Sequence, residues 1–212
     1  IAGGAIDIAL GVLLLWKRAQ SRPETKGAAA LAAASGALFV VGAIRILQAP
    51  PAGPSYQVET AGRRFMAPVG LEIAGVGTQR TIDLGSGLGQ VIAEPDARLR
   101  VVRISDELHK LRLDYGTVHA SISASARPGL FQIETPSTTC IELGCKYTLS
   151  VDALGGAVVN VRTGRVAFDD GGREVFIPAG AGCRAVAGRG SGTPMQDDAA
   201  EPLKAAVRKF DE

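Results

Sequence analysis

From Tyr56 to Ala187 the chain is written in short β-type runs, each closed by a turn signal, and this punctuation restricts the fold more than any other feature. Tyr56-Gln-Val-Glu-Thr60 alternates apolar with polar, as do Leu111-Arg-Leu-Asp-Tyr115 and Val118-His-Ala-Ser-Ile122. Leu99-Arg-Val-Val-Arg-Ile104 does so with one slip. Period-two alternation marks a strand with one buried face and one wet face. Turn residues separate the runs at Ala61-Gly62, Gly75 to Gly77, Ser105-Asp-Glu107, Arg127-Pro-Gly129, Asp152 to Gly156 and Asp169-Asp-Gly-Gly172. The densest stretch is Phe131 to Val186, where runs succeed one another at the spacing of all-β architectures. No amphipathic helical pattern interrupts 56–187, so the expectation is an all-β domain, a β-roll or β-sandwich of many short strands.

The residues before it obey a different rule. Residues 1–16 are apolar except for Asp7, a possible transmembrane segment that is short for a span. A basic loop over 17–27 comes next, and then Ala28 to Leu47 is apolar apart from Arg45 near its end. That length matches the roughly 20 residues needed to cross a bilayer, with Arg45 placed to reach the interface. An Ala-rich buried helix is the plainer alternative, and a signal sequence a further one. The positive-inside rule keeps 17–27 in the cytoplasm and puts the chain beyond residue 48 outside. Gln48-Ala-Pro-Pro-Ala-Gly-Pro-Ser55 stops a helix and makes a semi-rigid linker over 48–55. One or two N-terminal transmembrane helices are therefore expected ahead of the β domain. Beyond it, 188–212 reads as a Gly-rich loop and a short helix. There Asp198 and Glu201 form a capping-box-like pair, and Leu203, Val207 and Phe210 recur at helical spacing.

Chemistry-bearing patterns are sparse. The formal net charge is +2, and Lys and Arg are scattered rather than clustered with aromatics, which argues against a nucleic-acid partner. The two histidines, His109 and His119, and the three cysteines, Cys140, Cys145 and Cys183, lack zinc-ligand spacing. No metal and no cofactor is expected. Asp83-Leu-Gly-Ser-Gly-Leu-Gly89 is similar to the glycine loop of methyltransferases that use S-adenosylmethionine, but that loop must open a helix. Here the next residues are Gln90-Val-Ile-Ala-Glu-Pro95, so a Gly-rich β-turn is the reading. No Gly-x-Ser-x-Gly motif occurs, and no catalytic residue is assigned; the chain is not expected to be an enzyme. If the β domain lies outside the cytoplasm, Cys145 and Cys183 become a candidate disulfide contributing about 3–4 kcal/mol, with Cys140 as a competing partner.

Gly87 to Val101, Leu113-Asp-Tyr-Gly-Thr-Val-His119, Ile133-Glu-Thr-Pro136 and Leu143 to Val151, continued by Val161-Arg-Thr-Gly-Arg-Val166 and Ile177-Pro-Ala-Gly180, resemble a FecR-type periplasmic domain. The resemblance covers roughly 56–186. It implies a membrane-anchored envelope protein of the bacterial inner membrane whose β domain sits in the periplasm or outside the cell. It further implies action by protein–protein contact, as an anti-sigma or envelope-signalling regulator. The partners it implies are a sigma factor, bound through residues preceding Ile1, and an envelope protein, bound through the β domain. A structural or glycan-binding envelope module without a signalling role is the alternative.

Overall fold

The structure is a computed structural model that describes residues 53–211, except 75 and 76. The apolar segments 1–16 and 28–47, the basic loop 17–27 and residues 48–52 of the linker lie outside the described residues. So do Gly75 and Val76, within one expected turn. Among the described residues no helix is long and apolar enough to cross a membrane.

The domain is mostly antiparallel β-sheet with one short C-terminal helix, α1 (Glu201–Asp211). One sheet runs in the order β2 (Arg63–Pro68), β1 (Ser55–Thr60), β4 (Arg80–Asp83), β5 (Gly89–Ala93), β7 (His109–Ile122), β10 (Lys146–Val151), β11 (Ala157–Thr163) and β14 (Ala181–Val186). Two short strands, β15 (Gly190–Ser191) and β16 (Met195–Gln196), pair with β14. The second sheet runs β3 (Glu72–Ala74), β6 (Arg98–Ile104), β7 again, β8 (Phe131–Glu134), β9 (Thr139–Glu142), β12 (Arg165–Asp169) and β13 (Glu174–Pro178).

β7 belongs to both sheets, and the fold turns on it. Residues 109–115 pair with β6, while 116–122 pair with β5 and β10. β8 then pairs in parallel with the beginning of β7, His109 opposite Phe131. A straight strand of 14 residues would be about 45 Å long. The connection over 123–130 can span no more than roughly 28 Å. The strand must therefore curl until its ends approach, and that curl rolls one sheet over the other. The bend falls at Gly116, whose φ is +91° and where a Cβ would sit 2.5 Å from the Cα of Ala97. Only glycine fits there. The sequence reads 111–115 and 118–122 as two runs; the structure joins them because Gly116 bends the strand without ending it. The slip between Val101 and Arg103 is a bulge in β6.

Alternation places one side chain in two in a single core. Tyr56, Ile82, Leu99, Leu111, Leu113, Phe131, Ile133, Leu149, Phe168 and Ile177 are its largest fully buried apolar members. The Asp83–Gly89 loop is a hairpin turn in which Leu84 N–H donates to Gly89 O and Leu88 N–H to Gly85 O, with both leucines buried. It opens no helix; it leads straight into β5.

Two of the sequence signatures interlock. Ala179 N–H donates to Gly164 O at 3.0 Å, and Gly180 N–H to Val161 O at 2.8 Å. The Thr-Gly corner and the Pro-Ala-Gly turn therefore brace each other where the chain leaves one sheet for the other. Past Val186, the expected loop contains β15 and β16. Helix α1 buries none of its residues: Val207 is half-buried, and Leu203 and Phe210 are exposed. Its end is held by Asp211, which accepts the N–H and hydroxyl of Thr193 at 2.9 and 3.0 Å.

Candidate functional site

A contact surface begins at a free sheet edge. Ala61 and Gly62, with φ of 46° and 74°, form the tight turn that throws β2 back along β1. β2 pairs with β1 and with no other described strand, so its outer main-chain groups form a template for another strand. Phe65 and Met66 are 39% and 42% exposed there, and Val69 and Leu71 continue the apolar surface past Pro68. Arg64 is held on Glu59 at 3.0 Å. An edge of the second sheet, β13, carries exposed Phe176 but is flanked by Glu174 and Pro178. Charge and proline blunt an edge.

Beneath the surface lies a buried polar cluster. β9 turns Cys140 and Glu142 inward, and the corner Leu143-Gly144 delivers Cys145 and Tyr147 to the same core. Glu142 is fully buried; one carboxylate oxygen accepts the Gly144 N–H, and Oε2 has no partner. Burial raises its carboxyl above the usual 4.5, opposed by main-chain N–H bonds from Gly144 and Cys145. The Tyr147 hydroxyl is buried there without a hydrogen-bond partner, near the thiols of Cys140 and Cys145. Burial pushes the Cys145 thiol up to about 12 and Cys140 well above its ordinary range. A thiol in that state is no nucleophile at neutral pH.

The Cys145–Cys183 bridge is not made, and the register gives the reason. All three cysteines are free and buried. Cys183 pairs with Val159, which pairs with Leu149, so Cys183 lies two strands away from β10 and level with a residue four beyond Cys145. That is roughly 10 Å across and 13 Å along, beyond the ~7 Å a disulfide can span. Cys183 instead directs its thiol at Gly192 O, 3.4 Å away, and burial pushes it up to about 11. Cys140 is the thiol next to Cys145; the signal was their placement on either side of one corner.

The histidines serve structure. His119 lies between Thr148 Oγ1 at 2.9 Å and Glu94 Oε1 at 3.0 Å on the outer face of its sheet. His109 Nδ1 meets the Tyr56 hydroxyl at 2.9 Å, and burial lowers its pKa, opposed by Asp106. Among the described residues no group of three or more His, Cys, Asp or Glu is arranged to hold a metal ion.

Comparison with known proteins bears on the fold. No protein-family model matches the sequence. No curated protein matches it either. Among solved structures, the chain is similar to a putative anti-sigma factor from Parabacteroides distasonis, with a TM-score of 0.51 and 15% identity over 64% of this chain and 64% of that one. A further crystal structure described in the same terms and from the same organism gives a TM-score of 0.51 and 15% identity over 63% and 62%. The match thus spans less than two thirds of those chains. At this identity the likeness is one of fold.

Proposed function

We propose that this chain is a membrane-anchored, extracytoplasmic regulator of the anti-sigma class. It acts by protein–protein contact and without catalysis of its own. The observation that carries the reading is the fold shared with a protein named as a putative anti-sigma factor. The apolar segment 28–47, the Pro-rich linker and the FecR-like motifs support it from the sequence. In this reading the β domain stands in the periplasm, the envelope partner adds an extended segment to the edge of β2, and the span 28–47 carries the result inward. Strand addition uses main-chain bonds for affinity and side chains such as Phe65 and Met66 for choice of partner.

The test is affinity purification of the full-length protein from its host, with mass spectrometry of the proteins that accompany it. A sigma factor enriched over an unrelated membrane-anchored control supports the proposal. Retrieval of no sigma factor from cells in which the bait is intact and membrane-bound would sink the regulatory role. Replacing Phe65→Glu and Met66→Lys together should abolish capture of the envelope partner, while the sigma factor is retained.

A further inference from the structure

The free edge of β2 has a register of its own, set by the turn that precedes it. Ala61 and Gly62 both have positive φ, as a two-residue I′ turn requires, and Thr60 faces Arg63 across it. The residues flanking such a turn exchange both main-chain bonds, and along an antiparallel ladder bonded pairs alternate with non-bonded ones. Arg63, Phe65 and Ala67 therefore turn their main-chain groups toward β1, whereas Arg64, Met66 and Pro68 turn theirs outward. Pro68 fits this pattern, because its missing N–H falls on the side where β1 needs none. Side chains alternate in the same step. Phe65 shares the side of buried Ala67, and Met66 shares that of Arg64, whose charge is paired with Glu59 at 3.0 Å.

We propose that a second copy of this chain occupies the edge, β2 against β2 in antiparallel array about a two-fold axis at Phe65. In that register Arg64 of each copy lies opposite Met66 of the other, so every outward N–H and C=O of both residues is paired. Phe65 meets Phe65 of the second copy in the non-bonded pair between them, where side chains come closest. The neighbouring registers are worse. Centring the pair on Arg64 sets two like charges directly opposite each other. Centring it on Met66 sets the Arg64 carbonyl against the ring of Pro68, which has no N–H to give. In the favoured register the two arginines are only diagonal neighbours, each beside its own Glu59. A strand of six residues is a small contact, so the pair is weak and reversible. The inference rests on the proposed reading of β2 as a docking edge and adds its regulation: self-pairing covers the edge, and the envelope partner must displace the second copy.

The experiment uses the full chain in a mild detergent, weighed by sedimentation equilibrium and cross-linked through introduced cysteines with copper phenanthroline as oxidant. A reversible monomer–dimer equilibrium is expected for the wild type. Phe65→Cys should lock the dimer, because residues in a non-bonded pair lie about 4.5 Å apart at Cα, within the reach of a disulfide. Arg63→Cys should not, since its two copies are offset by roughly 14 Å along the strands. Arg64→Cys mixed with Met66→Cys should cross-link in higher yield than either variant alone. The wild type, whose three described thiols are buried, gives the background. Met66→Arg, which sets an arginine opposite Arg64 of the second copy, should shift the equilibrium to monomer while leaving Phe65 in place. Phe65→Glu provides a second variant should that one fold poorly. The proposal is overturned if the wild type stays monomeric up to millimolar concentration, or if a dimer forms that Phe65→Cys does not lock. Capture of an envelope partner by a chain shown to be monomeric would remove the second copy and keep the docking edge. A locked dimer that captures no envelope partner after reduction would keep the self-pair and remove that partner.

Discussion

Glu142 lies in the core with one oxygen unpartnered, and its burial has a definite pH signature. The folded chain keeps this proton to a higher pH than the unfolded chain, for which the ordinary value is 4.5. Between 4.5 and the raised folded value the native state binds more protons, so its stability falls as pH rises through that window. The charged form is then the costly one. Glu142→Gln should therefore raise the denaturation midpoint at pH 8 and leave it nearly unchanged at pH 4, as followed by urea unfolding at each pH. A midpoint lowered equally at both pH values would contradict the burial argument. Arg80 makes the opposite case, a buried charge whose two terminal nitrogens are both bonded, although its Nε has no partner. Its guanidinium donates to Ile73 O, Glu94 O and Ala97 O at 3.3, 2.6 and 3.0 Å, tying β3 to the turn between β5 and β6. Arg80→Ala removes three charge-assisted hydrogen bonds and should cost about 3 kcal/mol in denaturant unfolding. Nothing in the run Arg80-Thr-Ile-Asp83 marks the first residue as buried, because alternation places an arginine on a face without saying what covers that face.

At the scale of elements, β7 and β2 make the clearest demands. A side chain at position 116 meets Ala97 main chain at 2.5 Å and must take a φ of +91°, so Gly116→Ala combines a clash with a strained backbone. Each costs about 1–3 kcal/mol, and the sum should appear as a loss of roughly 2–6 kcal/mol in thermal or urea unfolding. A variant within ~0.5 kcal/mol of wild type would mean that β7 does not bend there. The strands themselves were legible, because alternation and turn residues are local. The bulge in β6 was even visible as a break in the pattern. The pairing of one strand with another could not be read. The parallel β7–β8 pair, the sharing of β7 between sheets and the exposed edge at β2 are settled by packing between segments far apart in sequence. The Cys145–Cys183 expectation failed at this point: it needed a register, and Leu149–Val159–Cys183 supplies a different one. Native protein should accordingly show three slow thiols toward a maleimide, and all three should react once it is unfolded without reductant.

For the whole molecule, the β domain and its closing helix could be read from the sequence, whereas the candidate sites could not. The edge of β2 depends on which strand the chain leaves unpaired, and no local motif records that. Topology is the remaining claim at this scale, and it rests on charge asymmetry: four basic residues lie between Lys17 and Lys26, against one acidic residue, ahead of the apolar run 28–47. In the proposed reading that loop stays in the cytoplasm, because moving Lys and Arg across a bilayer is costly, and everything after residue 48 would then lie on the other side. Alkaline phosphatase fused after Thr60 should be active, since it folds only where its disulfides form. The same enzyme fused after Lys26 should be inactive, and a cytoplasm-active reporter there should work. Reversal of both results would place the β domain in the cytoplasm and remove the envelope partner with it, while leaving the core and the bend at Gly116 untouched. That separation makes the fusion pair the more informative measurement, because it tests where the domain acts without disturbing how it folds.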